Sequence, residues 1–303
     1  MAGAATAGAD GEAGRPQGSL AIIKPRVLAL LVFAGLTTAV MAGGRGTDPG
    51  TLLLLLVGGL LSVGAANVLN NVLDLERDSL MERTMWRPLP AGTVGPRAAV
   101  AAAAVMGASG VALLWLTVNA LTALLTLAGI MFYVLVYTVL LKPRTPENIV
   151  LGGIAGAFPP LVGWTAIRGT VGTPALLVGL LVVLWTPPHF WSLALLHKED
   201  YWRAGVPMLP VVHGDEVARR RIVAYTVGML CVSMLLVWAG GTGPLYLVGS
   251  LFMGALLLAL SVALLRRRTE AAARRLFRAS NVYLAALFVV SILDALLPAW
   301  HLA

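Results

Sequence analysis

Apolar stretches long enough to cross a bilayer recur along this 303-residue chain, and that recurrence constrains its fold more than any motif does. In hydrocarbon every backbone N–H and C=O must find its partner within the protein. A run of about 20 apolar residues therefore has one regular solution, the α-helix. The runs fall near residues 21–43, 51–70, 97–117, 120–141, 149–168, 174–195, 222–240, 244–265 and 280–298. Two divisions rest on little: Val118-Asn119 separates the third run from the fourth, and Arg168-Gly169-Thr170 the fifth from the sixth. With 58% hydrophobic and 12% charged residues, and abundant Gly and Ala for close helix packing, the expected class is an all-α membrane protein of nine transmembrane helices.

Basic residues test that count independently. Loops of a multispan protein alternate sides, and Lys and Arg collect on the cytoplasmic one. With nine spans, the N-terminal tail, the loops near 71–96, 142–148, 196–221 and 266–279, and the helix ends bordering them share one side. That side holds every basic residue except Arg45 and Arg168, which is 20 of the 22. The expected topology has the N-terminus cytoplasmic and the C-terminus outside. The net charge of +8 is then a topology signal that also attracts anionic lipid heads, so membrane lipid is an expected partner and nucleic acid is not. Residues 1–20 read as a disordered tail ahead of one polytopic domain over 21–303. The tail lacks a signal-peptide core, and its Asp10 and Glu12 argue against a transit peptide, which favours a bacterial plasma membrane. The lone cysteine, Cys231, lies in the seventh run and excludes a disulfide framework or thiolate cluster.

The second run ends in NNVLDLERDSLMERT, which spaces Asn70, Asp74, Asp78 and Glu82 four residues apart. Each such step advances a helix by about 400°, so these side chains form a slowly drifting polar stripe. Three carboxylates on one stripe repel unless something cationic lies among them, and a divalent metal carrying a phosphate ligand suits that need. The alternative is a solvated helix end with a local Asp74–Arg77 pair. Two features weigh against it: Asn67, Asn70 and Asn71 begin the stripe within or near apolar sequence, and Arg83 and Arg87 follow as candidate phosphate ligands. After the fourth run, Tyr137, Lys142, Arg144 and Asn148 fall on the same side of the membrane; Lys142 and Arg144 there become candidate diphosphate clamps.

The sixth run contains WTPPHFW at 185–191, where Pro187 and Pro188 remove two backbone hydrogen bonds inside a membrane segment. His189 follows among Trp185, Phe190 and Trp191, either as a packed hydrogen-bonding residue or as a ligand or acid–base group. The loops after the second and sixth runs echo one another, from acid to Arg to proline-rich turn, as two related halves facing a central cavity would. Asp294 in the ninth run has no evident role.

These motifs resemble those of a known family. Asn70-x₃-Asp74-x₃-Asp78 is similar to the first aspartate motif of the UbiA superfamily of membrane prenyltransferases. MERTMWRPLPAG (81–92), NIVLGGIAGAFPPLVGW (148–164), WTPPHFWSLAL (185–195) and DYWRAGVPMLPVVHG (200–214) resemble its protoheme IX farnesyltransferase branch. The resemblance runs from about Lys24 through the ninth span. It implies a helical bundle around a central cavity, with farnesyl diphosphate and heme b as substrates and heme O and diphosphate as products. It also implies Mg²⁺ held by Asn70, Asp74 and Asp78, and diphosphate held by Arg83, Arg87, Lys142, Arg144 and Asp200. Asp74, Asp78 and Lys142 would act in catalysis, His189 and Trp191 would contact heme, and Trp164, Phe190 and Trp191 would offer π faces to a carbocation. A heme A synthase or an oxidase assembly factor would be a partner. One departure stands out: the superfamily's second motif has two acids four apart, whereas Asp200 is followed at that spacing by Ala204. A prenyltransferase of quinone precursors and, in a different class, a membrane transporter are the competing readings. The first would be expected to carry a fuller second acidic motif, and the second a polar path across the membrane.

Overall fold

The computed structural model describes residues 18–297. Residues 1–17 of the expected tail, and His301, lie outside them. Nine helices among the described residues are long and apolar enough to span a bilayer: α1 Pro25–Gly46, α2 Pro49–Leu73, α3 Pro96–Thr117, α4 Ala120–Leu141, α5 Asn148–Arg168, α6 Thr173–Leu196, α7 Asp215–Gly240, α8 Pro244–Arg267 and α9 Glu270–Leu296. Both thin divisions are present. Asn119 caps α4 by accepting from the Thr122 N–H at 2.8 Å, and Gly169, with φ 68°, ends α5 in the left-handed region that glycine tolerates. Large apolar side chains stand bare on the perimeter, among them Leu116, Phe252 and Trp238, as they do where the surrounding solvent is lipid. The chain is a multi-pass membrane protein.

Three departures from the expected spans have physical causes. Helices α7 and α9 begin at Asp215 and Glu270, well before their apolar runs, because the charged turns Asp215–Arg221 and Glu270–Arg278 continue the helix beyond the apolar zone. The first helix begins at Pro25 instead of 21, because Ser19–Ile23 forms a 3₁₀ turn and Lys24 takes φ 52° before the proline. The Pro187-Pro188 pair does not break α6, which runs unbroken from Thr173 to Leu196. Instead Gly153 of α5 packs against the Val183 carbonyl that Pro187 leaves without a donor.

Close packing rests on small residues at the helix crossings. A Cβ at Gly163 would overlap the Gly35 carbonyl, so α1 and α5 pack backbone to backbone there, and Thr38 adds a hydrogen bond to the Pro160 carbonyl at 2.7 Å. The second half of α4 is wound as a π-helix over Phe132–Leu141, with hydrogen bonds reaching five residues back; the Lys142 N–H donates to the Tyr137 carbonyl at 2.8 Å. The Tyr137 ring then packs against Gly152 of α5, where any larger residue would collide with it.

Candidate active site

The polar stripe survives, and it bends where it must. Helix α2 stops at Leu73, yet the i→i+4 ladder continues through the turn: Asp74 N–H reaches the Asn70 carbonyl at 2.9 Å and Asp78 N–H the Asp74 carbonyl at 2.7 Å. A second short helix, Leu75–Leu80, carries Asp78, after which the chain leaves helical geometry at Met81. Asn70, Asp74 and Asp78 are therefore stacked and buried, with Asp74 only 1% exposed. Glu82 turns outward and pairs with Arg203 at 3.4 Å.

The buried carboxylates meet cations drawn from distant segments. Lys142 Nζ lies 2.5 Å from Asp74 Oδ2, which also accepts from the Asn70 amide at 2.9 Å. Arg87 Nη1 lies 2.6 Å from Asp78 Oδ2, and Arg77 stands 3.6 Å from Asp74 Oδ1. Lys24 Nζ donates to Asn70 Oδ1. Burial, with Arg87 close by, pulls the Lys24 ammonium down to about 7 from its ordinary 10.5. Sequence reasoning missed Lys24 as a site residue. Its faint signal lay in Asn67 and Asn71, whose amides donate to the Ile23 and Ile22 carbonyls at 2.8 and 2.6 Å and so fasten the turn that aims the lysine inward. Thr138, which accepts from Asn70 at 3.0 Å, was missed as well.

Beside this cluster lies a cavity of about 730 Å³, which Asp78 lines and Asp74, packed behind Asn70 and Lys142, does not. Lys24, Asn70, Asp78, Arg83, Arg87 and Lys142 line it where the helices carry their basic ends. Seven residues in from the end of α6, or about 10 Å at the helical rise, the wall becomes aromatic. Trp185, His189 and Phe190 of α6 face Phe277 and Asn281 of α9 there. Elsewhere the lining is mostly apolar, with Leu36, Leu55, Leu114 and Val162 deep in the bundle and Ser62 and Thr126 among them.

Not every expected residue reaches this cavity. Arg144 donates to the Val139 and Leu140 carbonyls at 2.7 and 3.1 Å, closing the end of α4 and turning its guanidinium away from the acids. Trp191 is fully buried on the opposite side of α6, edge-on to Tyr225 of α7 at 5.4 Å. Trp164 packs its indole on Gly172 at the far end of α5. Asp200 lies beside the cavity without lining it, accepting from the Glu82 N–H at 3.3 Å with Arg203 at 3.7 Å. The contacts of Glu82 with Asp200 and Arg203 join the two echoing loops to each other. Asp294 acquires a structural role: it accepts from the Gly243 and Tyr246 N–H groups at 2.5 and 3.1 Å and so caps α8.

Among the described residues no cluster of three or more His, Cys, Asp or Glu side chains is gathered to cage a metal. The donors nonetheless fit a hard divalent cation. Asp74 Oδ1 is buried and accepts no hydrogen bond, and Asp78 offers a second buried carboxylate at the cavity. Magnesium takes few protein oxygens and fills its octahedron with waters and phosphate oxygens, which suits such a sparse set.

A bundle with nine membrane helices among its described residues, whose buried aspartates one helical turn apart are paired directly with cations beside a largely apolar cavity, has counterparts. The model of the UbiA prenyltransferase family matches residues 28–292, and the chain belongs to that family of membrane prenyltransferases. Within it the chain is 45% identical over 277 residues to the protoheme IX farnesyltransferase of Symbiobacterium thermophilum, covering 91% of this chain and 93% of that one. It is 46% identical over 293 residues to the protoheme IX farnesyltransferase of Thiobacillus denitrificans, covering 95% and 97%. Solved structures share the fold: an apo UbiA homolog from Aeropyrum pernix has a TM-score of 0.71 at 21% identity, over 90% of this chain and 98% of that one. A UbiA homolog from Archaeoglobus fulgidus bound to GPP and Mg²⁺ has a TM-score of 0.61 at 14% identity, over the same shares.

Proposed function

We propose that the protein transfers a farnesyl group from farnesyl diphosphate to a vinyl group of protoheme IX, giving heme O and diphosphate. The observation that carries this reading is the single cavity in which a carboxylate–cation cluster, an apolar channel and a histidine-bearing aromatic wall are continuous. The names of the curated relatives supply the substrates. The fused loops and the basic ends of the helices face the cytoplasm in this reading, in a bacterial plasma membrane, and heme O passes on to heme-copper oxidase assembly.

Lys142, Arg87, Arg83 and Lys24 hold the diphosphate, exchanging their present carboxylate and amide partners for phosphate oxygens. Asp74, Asp78 and Asn70 would hold Mg²⁺, which when bound neutralises charge on the leaving diphosphate. The cations do the same from the protein side, so positive charge meets the oxygen on which negative charge develops as the allylic C–O bond ionises. The apolar lining keeps water from the farnesyl cation, and Phe190 and Tyr133, which line the cavity, are the aromatic rings that would stabilise it. The terminal vinyl carbon then bonds to farnesyl C1, and water adds to the inner vinyl carbon with loss of a proton. No protein nucleophile is needed. Arg144 and Trp191 take no direct part in this scheme, and Asp200 supports the loop contact that frames the site.

The test is to incubate purified protein in detergent with heme, farnesyl diphosphate and Mg²⁺, and to search by mass spectrometry for heme carrying an added hydroxyfarnesyl unit. The product is expected from wild type and lost from Asp74→Asn. Transfer to a quinone precursor in place of heme would overturn the acceptor assignment, and near-wild-type transfer by Asp74→Asn the metal assignment.

A further inference from the structure

His189 is held so that only one of its edges faces the cavity. Trp185 stacks on one face of its ring at 4.4 Å and 16°, Phe277 covers the other at 4.7 Å and 25°, and Phe190 approaches edge-on at 5.1 Å. The Nδ1 atom lies 2.9 Å from Ser280 Oγ, and that oxygen lies 2.8 Å from the Phe277 carbonyl oxygen. A carbonyl has no proton to give, so the serine proton must occupy the second contact. Oγ then offers lone pairs alone, and Nδ1 must carry the proton it shares with the serine. The reverse arrangement, with serine donating to Nδ1, would leave two oxygens 2.8 Å apart with nothing between them. Nε2 is thus the unprotonated nitrogen, on a residue that lines the cavity, and no protein group among the described residues hydrogen-bonds to it.

Ser280 is itself fully buried on α9 and works with both of its oxygens. Its hydroxyl orients His189, and its carbonyl accepts from Trp185 Nε1 at 2.7 Å, pinning the indole against which the imidazole stacks. An imidazole so clamped has no proton at its open edge and is unsuited to protonate a substrate there. It is well suited to donate a lone pair to a metal, because a hydrogen bond at the remote nitrogen fixes tautomer and orientation together.

We infer that Ser280 is a positioning residue that sets His189 as the Nδ1–H tautomer, so that Nε2 ligates the iron of the heme substrate. The inference rests on the heme reading above and adds to it the atom that binds and the residue that aims it. Heme enters from the aromatic side of the cavity, its iron fixed by Nε2, while the diphosphate is held at the basic end.

Full-length protein in detergent is titrated with ferric heme and followed by absorption spectroscopy, and the unfolding temperature of each variant is measured without heme. Ser280→Ala is expected to weaken heme binding by about 10- to 100-fold and to shift the bound-heme spectrum, the usual cost of losing the group behind a metal-ligating histidine. Ser280→Thr, which keeps the hydroxyl, is expected to restore both. In a His189→Gly background, free imidazole is expected to recover the spectrum equally with and without Ser280→Ala, since a free ligand chooses its own tautomer. A wild-type heme spectrum and affinity in Ser280→Ala overturns the positioning role, as does a threonine variant no better than alanine or an imidazole rescue that still depends on Ser280. An unchanged spectrum in His189→Ala instead removes the iron ligand itself, and mass-spectrometric detection of product shows separately whether heme is the acceptor.

Discussion

Replacing Lys142 with methionine removes the cation closest to Asp74 while keeping most of the side-chain volume. The pair is tight and dry: Nζ to Oδ2 is 2.5 Å, with the two side chains 14% and 1% exposed. Breaking a buried pair from one side costs about 3–5 kcal/mol, because the surviving charge stays desolvated. Two remaining contacts place the cost at the low end. The Asn70 amide still donates to Oδ2 at 2.9 Å, and Arg77, 31% exposed, stands 3.6 Å from Oδ1. The expected loss is about 3 kcal/mol, or roughly a hundredfold in the folding equilibrium. Adding Asp74→Asn removes the orphaned charge and should recover about half of that loss, a coupling within the range seen for contacting residues. Reversible unfolding in mixed micelles with a chelator present, followed by tryptophan fluorescence, measures all four corners of the cycle. Mg²⁺ added back should stabilise Lys142→Met more than wild type, since the ion no longer competes with the ammonium for Asp74. Stability of Lys142→Met within 0.5 kcal/mol of wild type in chelator, or strict additivity of the two substitutions, would refute the idea that the cluster is charge-coupled.

Other outcomes follow from the same geometry. Arg87→Ala strips Asp78 of its 2.6 Å partner and should lower kcat/KM for the prenyl diphosphate by about 10- to 100-fold, the worth of one charge-assisted hydrogen bond. Arg144→Ala, whose guanidinium serves backbone carbonyls, should leave that ratio within about twofold, so equal losses in steady-state assays would restore Arg144 to the site. Asp294→Ala removes the acceptor for two N–H groups at the start of α8 and should cost about 1–2 kcal/mol of stability with transfer intact; a drop in turnover without a drop in stability would contradict the capping role.

The helical architecture was legible in the sequence because hydrocarbon permits so few backbone solutions. Apolar runs located the nine membrane-length helices found among the described residues. The same signal stopped short at α7 and α9, because it reports which residues lie in lipid and not how far the helix continues. The acidic stripe was legible since its members are neighbours on one helix. Lys142, Arg83 and Arg87 were legible as its cations, but their pairing was not and Lys24 was missed, because Lys24 and Lys142 reach Asn70 and Asp74 across separations of 46 and 68 residues that no local pattern encodes. Lys142 and Arg144 look equivalent on the page of a sequence. They part company because α4 ends in a π-helix, which brings Lys142 onto the cavity and leaves Arg144 to cap the carbonyls behind it. His189 was picked out by its aromatic neighbours, but Trp191, in the same motif, faces the other way by helical phase alone.

That wide-wound segment also predicts what kinds of genetic change this site can absorb. Substitutions between Phe132 and Leu141 alter surfaces one residue at a time, but losing or gaining a single residue alters phase. Deleting one would let the turn relax to ordinary α winding and rotate everything beyond it by about 100° relative to Tyr133. Lys142 would leave Asp74, and the Tyr137 ring would leave its seat over Gly152, in one event. The length of this stretch, more than its composition, is therefore what descent should hold constant, and an indel there is expected to silence the enzyme even where every named site residue is retained.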